Sequence, residues 1–384
     1  VTDDIEQILV TSLDRRAASP VDTIQLAATA ARRGRGLRHR RYAIAAASLV
    51  AVATVGAFGV TALSPRAGGG QAVGSGTPEK TRTAEPEGND PTPPPGGWNV
   101  PQLPAASGVP GAAAAPNLVG ADPGTLHFTV DGLASSESVT WETGPGVESI
   151  SFDHGEWTAQ ITLARDPARL DTVTRSHLVE EFSWPEPETR NVTVGGVPAT
   201  FYVHDGAQFD VSYLRWQPVS GVWAQVWGPD NAADAAEVAS RLRLDAAYRC
   251  VLPIRIAALP SKAKLLGCKV GLTGDEVTDV KGASTRLSEA IVTVGVNDNE
   301  AKVRVTRRLG LPTTPDMSLQ GHPANMTKND RREWLIVAPD FDGVDIELSG
   351  RGAYDYPELT VIGEGITVDG DLRDPATWPT KLVG

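Results

Sequence analysis

The chain has 384 residues, with 39 glycines, 29 prolines, two cysteines and a formal net charge of −12, long enough for two or three domains rather than one. The charge is uneven: residues 1–41 carry eight arginines against five acidic residues, residues 42–63 carry no charge, and everything after them sums to −15. A basic head on an acidic body argues against nucleic-acid binding by the body, and with no Cys-x-x-Cys or paired histidines the sequence offers no zinc-site spacing.

The N-terminal stretch "TDDIEQILVTSLDRRAA" sets Ile5, Ile8, Leu9 and Leu13 on one helical stripe, with Asp3 and Glu6 as a capping box. A second helix starts at Ser19, with Pro20 at its first position and Gly34 beyond its end. Two helices this short bury little core by themselves. Their apolar stripe suits the groove of a cytoplasmic protein partner, or else it rests on the membrane surface. Residues 1–41 are therefore read as a cytoplasmic helical tail.

Tyr42 to Leu63 is 22 residues without a charge, and a bilayer core needs roughly 20. Arg32 to Arg41 precede it and only Arg66 lies near its far end. The arginine excess belongs on the cytoplasmic side, so the expected topology is a single transmembrane helix at 42–63 with the C-terminal body outside. The competing reading is a cleaved export signal, since "RRYAIAAAS" has the twin-arginine form and Val60-Thr61-Ala62 offers small residues for cleavage. Ser64 to Gly124, with "SPRAGGG" and "NDPTPPPGG", reads as a disordered Pro/Gly-rich linker that lifts the body off the bilayer.

The body shows internal likeness. "VGGVPAT" (194–200) matches "LQGHPAN" (319–325), and "SGVWAQVWG" (220–228) matches "DGVDIELSG" (342–350) in spacing. "LHFTV", "SVTWET", "ESISF", "TAQITLA", "TFYVH", "YLRWQ" and "VWAQVW" alternate in period two, as half-buried strands do, and Ala232 to Leu242 reads as a helix. The expected fold class is α+β: one transmembrane helix plus an extracytoplasmic body of two tandem, related antiparallel-sheet-and-helix halves, 125–247 and 248–384.

Cys250 and Cys268 make an even pair on the outer side of the bilayer and are expected to form a disulfide. The bridge would join "VLPIRIAAL" to "LLGCKVGL", brought antiparallel by a turn at Leu259–Lys262. In "VWAQVW", Trp223 and Trp227 share one face. With Trp216 on the preceding strand they either form an open platform for a cell-wall sugar ring or an apolar chain, or lie buried under another element. No nucleophile, base and oxyanion donor assemble, so no enzyme, cofactor or metal is expected. The "DHGE" and "HLVEE" histidines read as a hairpin turn and an exposed helix face, and "DFDGVD" reads as a turn.

The leading "TDDIEQILVTSLDRRA", the "RRGRGLRHRR" before the span and the "LPIRIAALP" at 252–260 give a layout that resembles actinobacterial single-pass membrane proteins organised like anti-sigma factors. The resemblance implies a tail that holds a sigma factor at the lipid bilayer and a body that senses the cell envelope. The His-x-x-x-Cys-x-x-Cys site of zinc-type anti-sigma factors is missing, since the tail has no cysteine.

Overall fold

A computed structural model describes residues 98–154, 157–178, 186–204, 211–278, 284–296, 299–307, 314–328, 333–352 and 354–384. The tail, the stripe of Ile5, Ile8, Leu9 and Leu13, and the 42–63 run lie outside the described residues. Among the described residues no helix is long and apolar enough to cross a membrane.

Seven strands come first: β1 (Ser138–Gly144), β2 (Val147–His154), β3 (Trp157–Ala164), β4 (Glu188–Val194), β5 (Val197–His204), β6 (Val211–Val219) and β7 (Val222–Trp227). Seven more follow: β8 (Lys264–Thr278), β9 (Ser284–Val296), β10 (Asn299–Arg307), β11 (Met317–Leu319), β12 (His322–Lys328), β13 (Trp334–Phe341) and β14 (Val344–Arg351). Helix α1 (Pro167–His177) lies between β3 and β4, α2 (Ala232–Ser240) follows β7, and α3 (Tyr356–Glu364) follows β14.

These fourteen strands join in one antiparallel sheet, in the order β11-β12-β13-β14-β10-β9-β8-β1-β2-β3-β7-β6-β5-β4, and six shorter strands pair two by two outside it. Read outward from the centre, each side runs through the same series. The α+β expectation, with a transmembrane helix and two tandem halves of sheet and helix, is corrected. Strand makes up 51% and helix 15% of the described structure, and no transmembrane helix is found there. The sheet is continuous because β8 pairs with β1, Val270 standing opposite Trp141.

Alternation decides which way each strand faces. β10 buries Ala301, Val303 and Val305 and turns Lys302 and Arg304 outward, the pattern of a sheet with one face on a core. The register then lines up one apolar row across the sheet. It runs Ile346, Val305, Ala290, Val270, Trp141, Ile150, Ile161, Val226, Leu214, Phe201. Helix α2 covers part of this face through Ala235, Val238 and Ala239, and α3 covers another through Leu359 and Ile362. Helix α1 packs on β3 and β7. Its Thr174 meets Gln225, which points away from the neighbouring Ala224 and Val226, so α1 lies on the opposite face.

Residues 98–124, expected to belong to the linker, instead pack into the core through Val100, Leu103, Ala112 and Val119. The pairing expected around the cysteines is also different. Ile254–Ile256 pairs with Ile366–Val368, while β8 pairs with β1 and β9.

Candidate functional site

Strand β7 is where the predicted aromatic residues can be located. Trp227 and Trp223 face α1. Trp216 stands opposite Ala224, so it faces the other side, toward α2. The three tryptophans do not meet on one surface. Trp227 is closed over: the His177 ring of α1 stacks on it at 4.6 Å, and Tyr213 lies 4.9 Å away. Its indole Nε1 has no hydrogen-bond partner among the described residues. Trp223 is half-buried. The strand is apolar on both faces because helices cover both.

Beside Trp227 a polar network fastens α1 to the sheet. Arg215 Nη1 donates to Asp171 Oδ1 at 2.7 Å, and its Nη2 donates to Gln225 Oε1 at 2.7 Å. The guanidinium also sits 5.5 Å from the Tyr213 ring centre, a cation–π distance. Tyr213 stacks on Tyr202 at 4.6 Å. Burial pushes the Tyr213 phenol up to about 12, against the opposing pull of Arg215, so it stays protonated at neutral pH. This arrangement holds a helix in place and leaves no open ring surface around Trp227.

On the opposite face a groove of about 400 Å³ opens beside Trp216, between the β4–β5 turn and the end of α2. A larger cleft of about 750 Å³ lies where the β1–β2 turn approaches the start of β8. Gly120, Gly146, Arg165, Arg169 and Lys264 line it, with Asp166 as the acidic residue. Its cationic excess suits an anionic group. Glu148 stands next to it, fully buried, and holds the cleft's Gly120. Its Oε1 accepts from Gly120 N and from His127 Nδ1, both at 2.7 Å, and its Oε2 accepts from His127 N at 2.6 Å. The sequence signal for Glu148 is its place in "ESISF", on one face with Ile150 and Phe152. A carboxylate in register with core residues signals buried partners.

Cys250 and Cys268 are bonded, with Cα atoms 6.3 Å apart. Cys268 lies on β8 opposite Thr143 of β1, so the bridge ties the segment after the first strand series to the centre of the sheet. Closing an 18-residue separation stabilises the fold by roughly 3 kcal/mol in the chain-entropy account. Cys268→Ser is expected to lose about that much, read as a lower thermal midpoint that reductant no longer changes. A wild-type midpoint indifferent to reductant would show that the bridge adds nothing.

Among the described residues no group of His, Cys, Asp or Glu gathers as metal ligands would. No family model and no curated protein matches the chain. Among solved structures it aligns with the crystal structure of MucB in complex with MucA(peri), at 10% identity over 61% of this chain and 93% of that one, TM-score 0.21. It also aligns with the crystal structure of MucB, at 12% identity over 65% of this chain and 95% of that one, TM-score 0.17.

Proposed function

We propose that the chain is a membrane-anchored regulator of the cell envelope, with residues 42–63 in the bilayer, residues 1–41 in the cytoplasm and the folded body outside. The observation that carries this reading is the Cys250–Cys268 bridge, because structural disulfides persist in oxidising compartments. It lies C-terminal to a charge-free run whose arginine flank orients it in the same sense. The body binds rather than catalyses: its buried His127–Glu148 pair is engaged in holding main-chain N–H groups. In its finer form the tail holds a protein partner such as a sigma factor and the body takes an envelope ligand.

A reporter fused after residue 70 is expected to be active only when it is of the kind that works outside the cytoplasm. A mature chain beginning near Leu63 would replace the anchor with an export signal. A second reading, an envelope binding module with no cytoplasmic partner, is favoured by the missing His-x-x-x-Cys-x-x-Cys site in the tail. Affinity capture with residues 1–41 as bait separates the two, since a specific cytoplasmic protein is retained only under the first.

A further inference from the structure

The two strand series end in the same way. β4 and β5 turn on Gly195 (φ 56°) and Gly196 (φ 84°), and β11 and β12 turn on Gln320 (φ 50°) and Gly321 (φ 84°). Both are two-residue hairpin turns with left-handed central residues. Helices α2 and α3 are each nine residues long, and each is followed by one capping residue and a short strand. The side chains between turn and helix differ.

In the second series that socket is full. Leu319 is fully buried and so close to α3 that a Cβ on Gly363 would lie 2.6 Å from its Cδ1. Gln320 Nε2 donates to Gly363 O at 2.9 Å and to Ile366 O at 2.7 Å. In the first series the matching positions hold the smaller Val194 and Gly195, and the same place is the groove beside Trp216. Val194, Val197, Trp216, Pro218, Leu242 and Leu244 form its apolar walls, with Ser240, Arg243 and Asp245 also lining it. A Cβ on Gly195 would meet nothing within 4 Å.

The sheet edges differ too. β11 has three residues and β4 has seven. Short edge strands resist pairing with other chains, and long ones invite it. Val194 and Val197 flank the two-residue turn and form its closing hydrogen-bonded pair. Thr189, Asn191 and Thr193 therefore turn their main-chain N–H and C=O groups away from β5. Among the described residues no strand pairs with that side of β4.

We infer that the first strand series is a docking site for an extended segment of a partner polypeptide. The segment adds to the β4 edge and lays one apolar side chain against Val194 and Gly195, at the end of the groove that β4 itself forms. The chain supplies its own precedent, filling the equivalent socket with the polypeptide side chains of Leu319 and Gln320. The outward main-chain groups of β4 are what an added strand requires, and an acyl chain would use none of them. This goes beyond the anchored-regulator reading and does not depend on it.

The test pans the purified full chain against short random peptides displayed on phage. Enriched peptides are expected to alternate apolar and polar residues. A synthetic copy should bind Gly195→Gln at least about tenfold more weakly, because the new side chain plugs the groove as Gln320 plugs its own. Thr193→Pro removes an outward N–H from an edge strand that tolerates proline and should weaken binding similarly. Gly195→Ala carries the same backbone strain without the plug and should bind as wild type. If Gly195→Gln does not fold, Thr193→Pro decides alone. No enriched peptide, or equal affinity for wild type and the folded variants, overturns the proposal. So does palmitate binding or self-association that Gly195→Gln abolishes while peptide binding is absent, since an acyl chain or a second copy would then be the occupant.

Discussion

Replacing Glu148 with alanine is expected to destabilise the fold by ~3–5 kcal/mol, the range for leaving the partners of a buried charged group uncompensated. The carboxylate is fully buried and accepts from Gly120 N, His127 N and His127 Nδ1. Each orphaned buried donor costs roughly 1–3 kcal/mol; the two His127 donors are buried, while Gly120 N lines the cleft and is the one that water can reach. Glu148→Gln keeps one acceptor oxygen but turns an amide N–H₂ toward a donor, so its loss should be smaller but still measurable. Urea unfolding of both variants, with unchanged slopes, gives the comparison. A loss below about 1 kcal/mol for the alanine variant would mean that water replaces the carboxylate and that Glu148 does not fasten Gly120 and His127.

Trp227→Ala is expected to cost ~3–5 kcal/mol, as large aromatic truncations in cores do. The indole is packed between His177 of α1 and Tyr213 of β6. Its loss opens a cavity under a helix otherwise held by the Arg215 network. Trp223→Ala, half-buried at the same face, should cost distinctly less. Thermal melts of the two variants discriminate: equal, small shifts for both would show that α1 does not seal Trp227 and would return the open-platform reading to consideration.

Period-two alternation made the individual strands legible. "SVTWET", "ESISF" and "TAQITLA" fall on β1, β2 and β3, because each has to bury one face and the pleat repeats every two residues. The fold class was not legible. It turns on the β1–β8 ladder, which joins Thr143 to Cys268 across 125 residues, and no local pattern announces such a partner. The linker boundary failed for a related reason. Val100, Leu103 and Val119 are single apolar anchors in a Pro/Ala/Gly-rich stretch, buried without periodicity. The cysteine pair was legible from count and topology, but its strand neighbours were not. The tryptophan cluster dissolved on register: Trp216 opposite Ala224 puts it on the far side from Trp223 and Trp227. His177 lies on an exposed helix face as read, but its stacking on Trp227 was not legible, because a contact across elements leaves no trace in spacing.

The central ladder also orders the events of folding. In the first series β1 to β3 and β4 to β7, and in the second β8 to β10 and β11 to β14, pair with neighbours close in the chain, and such contacts form early. The β1–β8 ladder has to order a far longer loop before its own hydrogen bonds compensate, so it closes late. Until it does, β1 and β8 are both bare edges, open to pairing with another nascent chain. The disulfide closes a separation of only 18 residues. It can therefore form ahead of the ladder and hold β8 near the segment that packs beside β1, shortening the time in which those edges stand exposed.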